Sequence, residues 1–206
     1  NDSLTILTNS AGDFGVHVES NGNVHWLVAL GNGIHFDGLI NVSGLENQQY
    51  KYYILKYDTN GNIIGYVAIP FDQTTGFLYE KRVNFTYDPL LQRYYFTLNR
   101  DTNDSIYQII KIGNQEYLAS VLICFDANGQ VLWTKTANNT WSALVQGLLV
   151  DDQSNIYVSG RGSSTTIFEP NNAYGPENGN FGGYQFTNNY SRQPFLIKFD
   201  SQANLL

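Results

Sequence analysis

Leu122-Ile-Cys-Phe-Asp-Ala-Asn-Gly-Gln-Val-Leu132 is an apolar run, a short turn of Asp, Asn and Gly, and a second apolar run. The same order of residue types returns in Ile54-Leu-Lys-Tyr-Asp-Thr-Asn-Gly-Asn-Ile-Ile64 and in Leu196-Ile-Lys-Phe-Asp-Ser-Gln-Ala-Asn-Leu-Leu206. The aligned aspartates Asp58, Asp126 and Asp200 are spaced by 68 and 74 residues. Self-similarity at so long a period marks a repeat architecture and outranks any local motif. Each copy reads as a tight β-hairpin. The aspartate hydrogen-bonds the turn backbone, and glycine takes the positive φ the turn requires. Asp58, Gly61, Asp126, Gly129, Asp151 and Asp200 are the structural turn residues on this reading.

Working outward, each repeat divides into short β-branched or aromatic runs bounded by turn residues, which is the strand signature. In the last repeat these are Gln146–Asp151, Asn155–Gly160 and Pro194–Phe199, and the earlier copies add a fourth, Gln130–Lys135 and Asn62–Ile69. Approximate repeats cover 10–70, 78–137 and 141–206. Leu4-Thr-Ile-Leu7, in residues 1–9, aligns with Val131-Leu-Trp-Thr134 and reads as the last strand of a preceding unit. No amphipathic helix is visible. The expected fold is all-β, with four-stranded antiparallel units.

The composition leaves few function classes. Apolar residues make up 42% of the 206, with 15 Tyr and 12 Phe, which supplies a core. Charged residues are only 14%, and 11 Lys+Arg against 18 Asp+Glu give a net charge of −7. No basic cluster exists to meet a phosphate backbone, so a nucleic-acid partner is not expected. No apolar stretch approaches the roughly 20 residues of a membrane helix. The single cysteine, Cys124, lies inside an apolar run and reads as a small buried hydrophobe. Abundant Asn, Tyr, Gly and Thr with few Lys and Glu favours an exported protein.

Gly147-Leu-Leu-Val-Asp-Asp-Gln-Ser-Asn-Ile-Tyr-Val-Ser-Gly160, a long loop, then Phe195-Leu-Ile-Lys-Phe-Asp200, resembles the bacterial beta-propeller repeat family. That family shows a V-D-x-x-G-N-x-Y-V-x-G run, a loop, and an L-x-K-x-D-x-x-G-x-x-x-W run. The second repeat departs from the pattern at Tyr87-Asp88-Pro89-Leu90-Leu91. The resemblance implies β-propeller blades, about three here, forming a segment of a larger propeller or assembly. Three blades cannot close a ring, since propellers have about four to eight. The open ends would be covered by further blades, by a partner or by a second copy. The resemblance also implies a secreted or cell-surface bacterial protein, often a type IX secretion cargo, whose repeats carry no catalytic residues of their own.

Candidate chemistry is sparse. The D-x-N-G turns lack the six to eight oxygen ligands of a calcium loop. A two-residue turn at Asn21-Gly22 would set His17 opposite Trp26 and send His17 and His25 to opposite faces, so no metal site is expected. No cofactor motif, nucleophile elbow or zinc-protease helix occurs. The connection from Arg161 to Gln193 is rich in glycine and aromatics, and Phe181, Tyr184, Phe186 and Tyr190 are its candidate binding residues. Asn, Tyr and Gly suit both sugars and proteins. The expected function is therefore a non-enzymatic binding or scaffolding module with protein or glycan as partner. The alternatives are a polysaccharide-active lyase or hydrolase on the same scaffold, and a structural repeat within a large adhesin.

Overall fold

The computed structural model describes residues 15–46, 50–71, 83–99, 110–117, 119–137, 143–162, 179–186 and 193–206. Among them every regular element is a β-strand. The first repeat supplies β1 (Val16–Val18), β2 (Val24–Leu30), β3 (Gly33–His35), β4 (Ile40–Val42), β5 (Lys51–Tyr57) and β6 (Ile63–Ile69). The second supplies β7 (Val83–Asp88), β8 (Arg93–Leu98), β9 (Ile110–Ile112), β10 (Gln115–Tyr117), β11 (Val121–Phe125) and β12 (Val131–Thr136). The third supplies β13 (Ala143–Val150), β14 (Ile156–Gly162), β15 (Asn180–Phe181), β16 (Tyr184–Gln185) and β17 (Gln193–Phe199).

The strands pair antiparallel into sheet one, β1-β2-β5-β6, sheet two, β7-β8-β11-β12, and sheet three, β13-β14-β17. Among the described residues no sheet closes into a barrel. After β17 the chain turns at Asp200, and Leu205 makes one bridge back to Phe199. A small hairpin sits between the second and third strand of each sheet: β3–β4, β9–β10 and β15–β16. The sequence does not mark these connections as hairpins. Two- and three-residue strands are too short to show an alternating pattern. The strand proposed at Leu4–Leu7 lies outside the described residues.

The turns are built alike. One carboxylate oxygen of Asp58, Asp126, Asp151 and Asp200 accepts the backbone amides two and four residues on, at 2.8–3.0 Å. The second oxygen of Asp58, Asp151 and Asp200 accepts the side-chain amide of Asn62, Asn155 and Asn204. The fourth turn residue is left-handed in every case: φ is 82° at Gly61, 81° at Gly129, 62° at Ser154 and 65° at Ala203. The third repeat thus holds the same backbone without glycine, and the aspartate network carries the strain.

The inner strands β8 and β11 are buried almost throughout, whereas the outer strand β12 is largely exposed. A strand covered on both faces needs apolar side chains at successive positions, which is why Val121-Leu-Ile-Cys-Phe125 does not alternate. Leu27, Ile54 and Val67 on the front of sheet one pack on Phe85, Phe96, Ile123 and Phe125 on the back of sheet two. Tyr95, Leu122 and Cys124 on the front of sheet two pack on Val158, Ile197 and Phe199 on the back of sheet three. Front meets back at both junctions, so the second step repeats the first. The hairpins wedge into these seams, with Ile110 and Ile112 in one and Phe181 in the other.

Polar contacts set the register of the seams. Asn99, just after β8, grips the backbone of Val145 with both its amide nitrogen and its carbonyl oxygen. Ser120 donates to Ala143 O at 2.7 Å.

The glycine turns separate two effects. A Cβ at Gly61 meets nothing, whereas one at Gly129 drives into the Ala68 carbonyl of sheet one. Gly61→Ala therefore costs about 1 kcal/mol, from backbone strain alone. Gly129→Ala costs at least about twice that. Urea denaturation of both variants measures the difference, and equal losses would mean that the seam yields freely.

Candidate functional site

The hairpin β1–β2 turns through Glu19 to Asn23, with Glu19 N donating to Asn23 O at 2.9 Å and Gly22 at a φ of 89°. This loop is longer than the two-residue turn expected at Asn21-Gly22. His17 therefore pairs with His25, and Val16 with Trp26, so the two histidines share a face. This corrects the expectation that they point apart. Their rings stand edge to face, 6.1 Å between centroids.

Both histidines cross to sheet two. His25 Nδ1 lies 2.8 Å from the Tyr94 hydroxyl, and its Nε2 lies 2.8 Å from Glu19 Oε1. His17 Nδ1 lies 3.2 Å from Thr86 Oγ1. His25 stacks on Tyr87 at 4.2 Å, and the Lys56 ammonium sits 5.8 Å from the centre of the Tyr94 ring. His25 and Tyr94 are buried. Burial pushes the His25 imidazole below its ordinary range, and the hydrogen bond and charge of Glu19 only partly oppose it. Burial, then the His25 charge, lowers His17. Neutral His25 donates from Nε2 to Glu19 and accepts the Tyr94 proton at Nδ1. Burial also pushes the Tyr94 hydroxyl far above its usual value. A tyrosine in this state holds its proton, so the cluster is suited to joining the sheets rather than to proton transfer. Among the described residues no group of three His, Cys, Asp or Glu side chains could hold a metal ion.

A second feature is open to solvent. A groove of about 740 Å³ runs between β6, the β9–β10 hairpin and the turn before β12. Pro70, Ile112 and Val131 supply apolar wall, and Asn114, Gln115 and Gln130 supply amides. Among the described residues its lining carries no Asp, Glu, Lys, Arg or His, and Tyr117 supplies a phenol. Asn128 to Val131 belong to the turn motif of the second repeat, but nothing in the sequence set them beside Pro70 and Asn114, because the walls of the groove come from two repeats.

The loop aromatics divide. Phe181 and Phe186 are buried, and both pack on Phe195, with ring centroids at 6.2 and 5.3 Å. Tyr184 is 41% exposed and meets Phe186 edge-on at 5.5 Å. Tyr190 lies outside the described residues. Tyr184 alone of the described three presents its ring to solvent. Cys124 is buried as the sequence suggested, and burial raises its thiol to about 12, which makes it a poor nucleophile. Among the described residues no helix is long and apolar enough to cross a membrane. No protein-family model matches the chain, and no curated protein matches it.

The histidine cluster and the aspartate turns together give a two-step acid response. The folded imidazoles of His17 and His25 titrate below their unfolded value of about 6.5, so the unfolded chain takes up protons first as pH falls. Stability is full above about pH 6.5 and declines below it. A second loss follows from about pH 4 downward. There Asp58, Asp151 and Asp200 are held below the ordinary carboxylate value, chiefly by Asn62, Asn155 and Asn204, with Asp151 at about 2. Denaturation midpoints measured from pH 8 to 3 should show both steps. His25→Gln should shrink only the first, and a first step of undiminished size would overturn the assignment.

Proposed function

We propose that the three sheets are successive blades of a β-propeller in an exported or cell-surface bacterial protein, and that this module binds a protein or glycan partner without catalysis. The repeated front-to-back step carries the blade reading. Both junctions use equivalent faces, and the first strands β1, β7 and β13 lie side by side. A radial array of four-stranded meanders produces this arrangement. The resemblance of residues 147–160 and 195–200 to bacterial propeller repeats, and the low charge, support the exported setting.

Binding is favoured over turnover by where the titratable groups sit. The Glu19, His25 and Tyr94 constellation is withdrawn from solvent, and among the described residues the open groove offers amides and apolar wall, with the phenol of the buried Tyr117 as its one ionisable side chain. The groove suits a ligand that recognises uncharged donors and acceptors across an apolar floor.

The purified chain should bind a subset of neutral glycans or peptides on an array. Asn114→Ala combined with Gln130→Ala should weaken that binding by about tenfold, one or two hydrogen bonds' worth. Its melting temperature should stay unchanged. Release of reducing ends or unsaturated products from a bound polysaccharide would refute the non-catalytic reading. Undiminished binding by the double variant would move the site elsewhere.

A further inference from the structure

We propose that two copies of this chain associate head to tail, the front of sheet three of each seating on the back of sheet one of the other, so that six sheets close a ring. The proposal rests on the reading of the sheets as successive blades.

The back of sheet one has the character of a face made for burial. Val16 pairs with Trp26, which pairs in turn with Leu55, and Val18 pairs with Val24, which pairs with Tyr57. These positions correspond to those that bury Phe96, Ile123 and Phe125 on sheet two and Val158, Ile197 and Phe199 on sheet three. Part of the face is covered by the chain's own β3–β4 hairpin, through Ile40 and Val42. Its two edges are open: on β1 Val16 is 58% and Val18 60% exposed, and on β6, at the opposite edge, Ile64 and Tyr66 are exposed. Two valines on a short strand, next to a partly buried tryptophan, make a contiguous apolar patch of a kind that marks an interaction surface.

The front of sheet three is the complementary face. Leu196 and Tyr157 occupy the places that Leu122 and Tyr95 hold in the sheet-two front, and Leu149 pairs with Tyr157. Leu196 is 69% and Leu149 61% exposed. Lys198 stands where sheet two has Cys124, and its ammonium lies 5.3 Å from the Tyr157 ring centre. Its alkyl stem can pack while the head reaches an aromatic of the opposing face, such as Tyr57.

Among the described residues, the chain therefore presents one back that its own hairpin covers only in part and one open front. The contact that would join them is the contact it already makes twice within itself. A second copy supplies both faces at once. Head-to-tail contacts close into a ring when the rotation per step allows it, and three steps per copy bring two copies to six sheets, within the usual propeller range of about four to eight.

Light scattering on the purified chain across a concentration series tests this. The expected mass is twice 23.2 kDa, without growth beyond it. Val18→Asp spoils only the back, and Leu196→Asp only the front, so each alone should abolish the closed pair. Mixing the two variants should restore a one-to-one pair through the single intact junction. Both substitutions are at exposed positions, and an unchanged β-type circular dichroism spectrum confirms that each variant folds. A monomer at all concentrations, growth past two copies, or variants that fail to complement would overturn the proposal. Hydrogen exchange separates this failure from failure of the blade reading. Slow exchange at Ile123 and Ile197 with no pairing refutes the docking alone, whereas fast exchange at both refutes the blades.

Discussion

The third strand of each sheet is apolar on both faces, and the rest of the structure follows from that constraint. Val121-Leu-Ile-Cys-Phe125 cannot be satisfied by one covering layer. A sheet with such a strand is unstable alone, and it must be flanked on both sides. Stability in this molecule is therefore a property of junctions rather than of sheets. Each buried aromatic at a junction, Phe96 or Phe199 for example, contributes on the order of 2–3 kcal/mol of burial. That contribution exists only while the neighbouring sheet is in place. The hairpins β9–β10 and β15–β16 share in the same cores.

Between these apolar faces the chain places a small number of polar cross-links. Apolar packing alone tolerates sliding, since it has no direction. Hydrogen bonds do not. The pairs His25–Tyr94 and His17–Thr86 fix sheet one against sheet two, and Asn99 and Ser120 fix sheet two against sheet three. Because these groups are buried, a shifted register would strand them without partners, at a cost of about 1–3 kcal/mol for each. The aspartate turns do the corresponding work within sheets by holding each hairpin to one loop length.

Much of this was legible in the sequence, and the reasons for the rest are physical. Strands β5, β6, β11, β12 and β14 were readable because they are long, apolar and flanked by Asp, Asn and Gly. The small hairpins were not, because strands of two or three residues carry no period. The histidine register was misread for a similar reason. Asn21-Gly22 is a strong two-residue turn signal, and the Glu19-to-Asn23 closure that lengthens the loop depends on a backbone pair invisible in composition. The candidate groove left no trace, since residues from two repeats meet there only after the sheets stack. Yet a clue to the junction was present: His25 and Tyr94 are 69 residues apart, as are His17 and Thr86, which is close to the 68-residue repeat spacing. Where repeats stack sheet on sheet, one period apart means face to face.

The polar cross-links also bear on how such a chain can change over generations. Copies of a repeat arise by duplication and begin interchangeable. Here the seams are keyed differently, one by a histidine, tyrosine and glutamate set, the other by an asparagine that clasps a neighbouring backbone. Exchanging the second repeat for another copy would keep the apolar faces but mismatch both keys. The order of the repeats is thereby locked. Recombination among them is penalised, and new variation is channelled into positions outside the seams, since the connections themselves contribute Asn99 and the wedging hairpins.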